Sequence, residues 1–216
     1  MEPIHIAIDG PAGAGKSTIA KGLATALQMI HLDTGAMYRA VTHHALTLGI
    51  DLADEKAYDF IDDLDFSFKD GELYLNGRNV EKAIRNQTTT LNVSLVASHK
   101  VVREALVKRQ QVIALHQSLV MDGRDIGTVV LPNAKYKFFL TADPHTRAKR
   151  RQKELLKKGE AADLDFLIQD IIRRDDLDSN RLLNPLKKAE DAVEIDTAQY
   201  SIIELIDHLT QIVKEG

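Results

Sequence analysis

The amino-acid sequence predicts an α/β fold in three layers, a central parallel sheet between helices, with a small antiparallel β-element and a charged helical segment inserted into it. Three observations carry this. Short apolar runs at Ile4–Asp9, Leu119–Asp122, Lys137–Leu140 and Val193–Asp196 read as buried strands. Segments with apolar residues at helical spacing alternate with them, and strands alternating with helices imply a parallel sheet. A glycine-rich turn joins the first strand directly to the first helical pattern, Ser17–Gln28.

The remaining elements follow in order. Leu64–Val80 alternates apolar and polar residues around the tight-turn dipeptides Asp70-Gly71 and Asn76-Gly77, as antiparallel hairpins do. Ser98–Gln117 carries Val102, Leu106, Val107 and Ile113 at helical spacing with an exposed basic face. Arg147–Arg181 is a highly charged helical stretch with Gly159 near its middle, and a charge run is ordinarily a solvated face. Tyr200–Lys214 closes the chain as an amphipathic helix. No internal repeat or low-complexity linker interrupts the sequence, so residues 1–216 form one domain with insertions.

Composition narrows the function. A net charge of -4 argues against a general nucleic-acid binder, which needs a surplus of Lys and Arg to displace counterions. The chain has no Cys, which excludes disulfides, thiolate metal sites and thiol catalysis and fits a reducing compartment. Met1–Asp9 lacks the basic and apolar regions of a leader, and no segment approaches the roughly 20 apolar residues of a membrane span, so a cytoplasmic protein without membrane contact is expected. The eight histidines show no metal-ligand spacing and read as structural or solvated.

Gly10-Pro11-Ala12-Gly13-Ala14-Gly15-Lys16-Ser17, followed by Thr18, matches the P-loop pattern in full and lies between a strand and a helix, where the mechanism requires it. Glycines let the backbone curl so that successive N–H groups face phosphate, and the following helix sets its positive end beneath them. Lys16 is expected to bridge the β- and γ-phosphates of ATP, and the Ser17 hydroxyl to ligate Mg²⁺. Asp122 ends an apolar strand, which suits either a carboxylate of the Mg²⁺ shell or a cap on the next helix.

The acceptor is bounded by what is missing and by the arginines. No Asn-Lys-x-Asp motif for guanine is present, which sets a GTPase aside, and the chain is short for a motor or transport ATPase. A kinase for a small phosphorylated acceptor must neutralise a second anion beside the γ-phosphate, and Arg39, Arg85, Arg103, Arg124, Arg150, Arg174 and Arg181 are candidates. A kinase for UMP, AMP or a hydroxy acid, and an ATP sensor without turnover, are the rival readings.

Taken with their neighbours, these residues carry a resemblance. Leu32-Asp33-Thr34-Gly35-Ala36-Met37-Tyr38-Arg39, Val102-Arg103-Glu104-Ala105-Leu106, Asp122-Gly123-Arg124-Asp125-Ile126-Gly127-Thr128-Val129-Val130 and Arg174-Asp175-Asp176 through Asn180-Arg181 look like the bacterial cytidylate kinases, in order and over nearly the whole chain. The resemblance implies a P-loop three-layer fold with a nucleotide-monophosphate-binding insertion at about 58–95 and a lid at about 147–180. It implies transfer of the γ-phosphoryl group of ATP to CMP or dCMP, with Mg²⁺, in pyrimidine metabolism; a monomer is expected. Arg39, Arg124 and Arg181 would then hold the CMP phosphate, and Ser94, Arg103 and Asp125 would read cytosine. Arg174 and Asp178 would contact the sugar, and Arg147, Arg150 and Arg151 would lie in the lid, with Lys16, Arg124, Arg150 and Arg181 serving catalysis. Thr34 keeps the hydroxyl of the Ser found there in some members and is expected to line the acceptor site.

Overall fold

A computed structural model describes residues 3–69 and 71–216. Five parallel strands form the central sheet: β1 (His5–Asp9), β2 (Ile30–Asp33), β6 (Leu119–Gly123), β7 (Tyr136–Thr141) and β8 (Val193–Asp196), in the spatial order β2-β6-β1-β7-β8. The four expected strands are all present. The edge strand β2 is the additional one; only four residues long, with His31 and Asp33 in it and Ile30 exposed, it carries no apolar run to reveal it.

The central strands explain the two-sided core. Along β1, Ala7 faces one cluster while Ile6 and Ile8 face the other, and along β6 Met121 and Val120 divide in the same way. This is the period-two alternation of a strand buried on both faces. One face is covered by α1 (Lys16–Leu27) and α7 (Ile202–Glu215), which bring Ile19, Leu23, Leu205 and Leu209 against Phe138, Leu140 and Ile195. The other is covered by α2 (Thr34–Leu48) and α4 (Lys100–Ala114), with Met37, Val41, Val102 and Leu106.

The inserted β-element is a three-stranded antiparallel sheet, β3 (Phe66–Lys69), β4 (Glu72–Leu75) and β5 (Arg78–Asn79), anchored to the second cluster through Leu73, Leu75 and Ile84. Of its two expected turns, Asn76-Gly77 has both residues at positive φ, as a tight hairpin needs. Asp70 of the other lies outside the described residues. A helix not foreseen, α3 (Gln87–Val96), follows the β-element; Asn86 starts it by accepting the Thr89 N–H at 2.8 Å.

Two expectations about charged helices are corrected. Lys100 and Lys108 on α4 are exposed, but Arg103 on the same helix is 1% exposed and points inward. The stretch 147–181 is solvated only in part: it folds as α5 (Pro144–Lys157) and α6 (Leu164–Asn180), breaking at Gly159, exposes Lys149, Lys153 and Arg173, and buries Arg147, Arg174, Asp178 and Arg181. Aspartates fix both starts, Asp143 accepting the Thr146 N–H at 2.9 Å and Asp163 that of Phe166 at 2.7 Å. Among the described residues no helix is long and apolar enough to cross a membrane.

Candidate active site

The carboxyl ends of β1, β2 and β6 open onto one cavity of about 720 Å³, at the point where the chain order of the sheet reverses. Ala12 through Thr18 line it from one side, together with Arg150; Thr34, Arg39, Ser94, Arg103, Arg124, Asp125, Arg174, Asp178 and Arg181 line the other. Residues from six separate elements that the sequence nominates are thus brought together.

Gly10 and Pro11, the first two residues of the loop, lie behind the residues that line the cavity. Gly10 sits at φ 147°, and a Cβ there would run into the Leu140 carbonyl of β7, so its role is to let the turn leave the sheet. The Pro11 carbonyl accepts from Lys16 Nζ at 2.8 Å. Burial, and after it the Arg124 charge, holds the Lys16 pKa well below that of a free lysine. Gly15, in the left-handed region at φ 88°, turns the loop into α1.

The loop is clamped from beneath by residues expected in the lid. Arg147 is 3% exposed; its Nη1 donates to the Ala12 carbonyl at 2.8 Å and its Nε to the Ala142 carbonyl at 2.8 Å. Its Nη2 pairs with Asp175 at 2.6 Å, and Asp175 accepts the Ala12 N–H at 3.3 Å. Both polar groups of the Ala12 peptide are therefore held, one by each partner of an ion pair. Arg150 donates to the Thr197 hydroxyl and carbonyl at 2.8 Å each, and that hydroxyl donates onward to the Ala14 carbonyl at 3.2 Å. Of the three arginines, Arg147 is thus part of the floor of the loop.

Asp122 caps no helix; the cap at the start of α2 is Asp33, which accepts the Ala36 N–H at 3.0 Å. Asp122 instead accepts the Ser17 hydroxyl on Oδ2 at 2.7 Å and faces His31 Nε2 with Oδ1 at 2.7 Å. Burial opposes charge on His31, but the hydrogen bond to Asp122 and the charges of Asp122 and Asp33 outweigh it and raise its pKa. His31 does not line the cavity; it is a structural histidine, as expected, but one that holds a residue of the site, and its i,i+2 placement before Asp33 on a strand end is the signal the sequence offered. The Thr34 hydroxyl donates to the Asp122 carbonyl at 2.7 Å, tying α2 to β6. Ser17 with Asp122 is a hard-oxygen donor set suited to Mg²⁺.

The acceptor wall is a lattice of arginines and aspartates. Asp125 pairs with Arg103 and, at 3.3 Å, with Arg181. Asp178 accepts from Arg124 Nε at 2.8 Å and lies 3.8 Å from Arg181; burial opposes its charge, but Arg124 and Arg181 keep its pKa low. Asp33 serves Arg85 at 3.2 Å and Arg39 at 3.9 Å. Arg174 differs: it is 8% exposed, no carboxylate pairs with it among the described residues, and its buried Nε, like that of Arg103, has no hydrogen-bond partner there. Burial, then the charges of Arg124 and Arg39, lower its pKa to about 10. A buried cation among like charges is costly unless an anion joins it.

Asp9, which sequence reasoning passed over as the end of a strand, is also buried. Its two carboxylate oxygens accept the backbone N–H groups of Ile126 and Gly127 at 2.7 Å each.

A phosphate-binding loop with its lysine and serine, facing an arginine-lined cavity, defines a P-loop phosphotransferase acting on an anionic acceptor. A family model described as cytidylate kinase matches residues 6–215. The chain is 47% identical to a cytidylate kinase of Acholeplasma laidlawii over 100% of its own length and 97% of the other's, and 51% identical to one of Anoxybacillus flavithermus over 98% and 96%. Among solved structures, an uncharacterized protein of Eubacterium ventriosum overlays with a TM-score of 0.55 at 13% identity, over 100% of both chains, a likeness of fold. The chain belongs to the cytidylate kinase family.

Proposed function

We propose that this protein transfers the γ-phosphoryl group of ATP to CMP or dCMP, releasing ADP and CDP or dCDP. The observation that carries this reading is the arginine wall, with the unpartnered Nε of Arg174 in it, opposite the phosphate-binding loop in a single cavity. Two anions brought face to face repel, and prearranged guanidinium groups are what offsets that repulsion.

In this reading Arg39, Arg124 and Arg181 hold the acceptor phosphate, and Arg174 with Asp178 contacts the sugar. Ser94, Arg103 and Asp125 read cytosine, whose edge offers one amino donor and two acceptors. Uracil would present a carbonyl to Asp125, leaving that carboxylate facing an acceptor at a cost of about 1–3 kcal/mol. The N–H groups of the Gly10–Thr18 loop cradle the ATP phosphates, with Lys16 on the β- and γ-oxygens.

An acceptor phosphate oxygen attacks the γ-phosphorus as the bond to the β,γ-bridging oxygen breaks, and ADP leaves. No general base is required, because a phosphate monoester with a second pKa near 6 is already ionised at neutral pH. Ser17 and Asp122 would hold Mg²⁺, which when bound neutralises charge on the β- and γ-phosphates. No group of three or more His, Asp or Glu among the described residues could hold a metal alone, so phosphate oxygens and water would complete its shell. The insertion at about 58–95 closes over the acceptor, and a lid at about 147–180, with Arg150 and Arg151 on its inner side, excludes water from the transfer.

The test is ADP release with Mg-ATP against CMP, dCMP, UMP, AMP and shikimate, for the protein and for Asp125→Ala. Rapid turnover of CMP and dCMP, weak turnover of UMP, and loss of that preference in the variant are expected. Preference for another acceptor would overturn the cytosine site, and ATP binding without turnover on any acceptor would overturn the kinase reading.

A further inference from the structure

We propose that Asp9 is a specificity-determining positioning residue: it holds the segment that begins with Asp125, so that the strand carrying the phosphate-binding loop also sets the acceptor-base site. The inference rests on the reading of Asp125 as the cytosine contact.

The geometry is a relay with few degrees of freedom. Asp9 is the last residue of β1, directly before Gly10, and is 4% exposed. Its Oδ1 accepts the Ile126 N–H and its Oδ2 the Gly127 N–H, both at 2.7 Å. These are the two peptides that follow Asp125, whose own backbone, at φ −144° and ψ 27°, lies outside the regular regions. From there Ile126–Val130 makes a single π-helical turn, a form that appears mostly as isolated turns at functional sites. The side chain of Asp125 does not cap this turn, being committed to Arg103 and Arg181. Without Asp9 the first two N–H groups of the turn would lose their acceptors, and the backbone that carries Asp125 would lose its tie to β1.

Packing closes the alternatives. Gly127 is buried, and a Cβ on it would lie 3.2 Å from Lys137 Cδ and 3.3 Å from Asp9 Oδ2. Asp9 and Gly127 are therefore fitted to each other. Burial raises the Asp9 pKa to about 6 against the two N–H groups that lower it.

Asp9→Asn keeps the volume but turns an amide NH₂ toward one of the two N–H donors. The experiment measures kcat and KM for ATP, CMP and UMP in the wild type, Asp9→Asn, Gly127→Ala and Asp125→Ala. The expected result for Asp9→Asn is a rise of about tenfold in KM for CMP, the scale of one lost hydrogen bond to a charged group, with KM for ATP within about twofold and the CMP-over-UMP preference reduced about tenfold. The double variant Asp9→Asn/Asp125→Ala should lose little more preference than Asp125→Ala alone, because both act on one contact. Gly127→Ala presses on the same carboxylate from the other side and should shift the same parameters, which keeps the test open if Asp9→Asn does not fold. A folded Asp9→Asn or Gly127→Ala with lower thermal stability but unchanged KM for CMP and unchanged preference would overturn the inference and leave Asp9 structural. If the wild type shows no CMP preference, or Asp125→Ala keeps it, the cytosine reading itself has failed; if both of those hold and Asp9→Asn alone is silent, only the present inference has.

Discussion

Arg147→Met removes three interactions from beneath the phosphate-binding loop: the hydrogen bonds to the Ala12 and Ala142 carbonyls, 2.8 Å each, and the ion pair with Asp175 at 2.6 Å. Met fills most of the volume, so the cost is polar. Breaking a buried ion pair by deleting one partner typically costs about 3–5 kcal/mol, and the hydrogen bonds are part of that figure because they share the guanidinium. A chain of 216 residues has an unfolding entropy of about 0.45 kcal/mol/K, so the midpoint should fall by about 7–11 °C. The kinetic consequence is one-sided. Freed from Arg147, the Ala12 peptide keeps only Asp175, and if about 1–2 kcal/mol of loop ordering must then come from ATP, KM for ATP rises by about 5- to 30-fold. KM for CMP should stay within about twofold, since among the described residues Arg147 has no polar contact with the acceptor wall. Steady-state kinetics with each substrate varied at saturation of the other, below the variant's melting range, reads this directly. Equal rises in the two KM values, or a folded variant with unchanged KM for ATP, would refute the assignment of Arg147 to the floor of the loop.

Further outcomes follow from the same structure. Asp9, with a folded pKa of about 6 above its ordinary 3.8, contributes stability that is fully present below the lower value and is lost as pH rises through the upper one. The groups acting on it are Asp125 and Lys16, with Lys137 packed nearby; relative to Asp9→Asn, urea unfolding should show the wild type gaining about 2 kcal/mol as pH falls from 8 to 4. His31→Leu leaves Asp122 Oδ1 without a donor, which should cost about 1–3 kcal/mol and raise the Mg²⁺ concentration for half-maximal rate about tenfold; His31→Gln, which can still donate, should recover much of both in chemical unfolding and Mg²⁺ titration. Gly22→Val would drive a side chain into Ile206 where α1 crosses α7, costing about 1–3 kcal/mol in thermal unfolding with both KM values unchanged, and Ile206→Ala in the same chain should restore part of the loss.

What the sequence made legible depended on whether a residue's role is local. The phosphate-binding loop is contiguous, so its spacing already states its chemistry, and the apolar strands declare themselves by composition. The acceptor arginines are scattered over more than 140 positions, and the run 147–181 looked like a solvated face because hydrophilicity does not distinguish a charge facing water from one facing a buried partner. Only the resemblance to a family sorted them. Asp9, His31 and the Arg147–Asp175 pair escaped for a related reason. Each acts on a residue more than 25 positions away in the chain, and nothing local to an aspartate at a strand end says which N–H groups it will meet. Strand β2 was lost because an edge strand of four residues with two polar ones has no apolar run, yet it carries Asp33 into the site and sets His31 against Asp122.

The acceptor wall also resolves an apparent conflict between a chain of net charge −4 and a cavity built for two polyanions. The aspartates at the site are not opposed to anion binding; they fix its cations. Asp33 holds Arg39 and Arg85, Asp178 holds Arg124 and Arg181, and Asp125 holds Arg103 and Arg181. A guanidinium has five donors, so one carboxylate orients it and leaves other edges free for phosphate. Orientation matters more than total charge, because a prearranged donor needs no reorganisation as charge shifts between the nucleotides, whereas a mobile surface lysine would lose that advantage to solvent. Arg174 alone among these arginines of the lattice has no carboxylate partner among the described residues, and burial with the charges of Arg124 and Arg39 lowers its pKa, which suits it to pairing with an anion. The same charges spread over an exposed surface would attract any polyanion weakly. Buried, paired and aimed into one cavity, they select a small anion held next to the phosphate-binding loop.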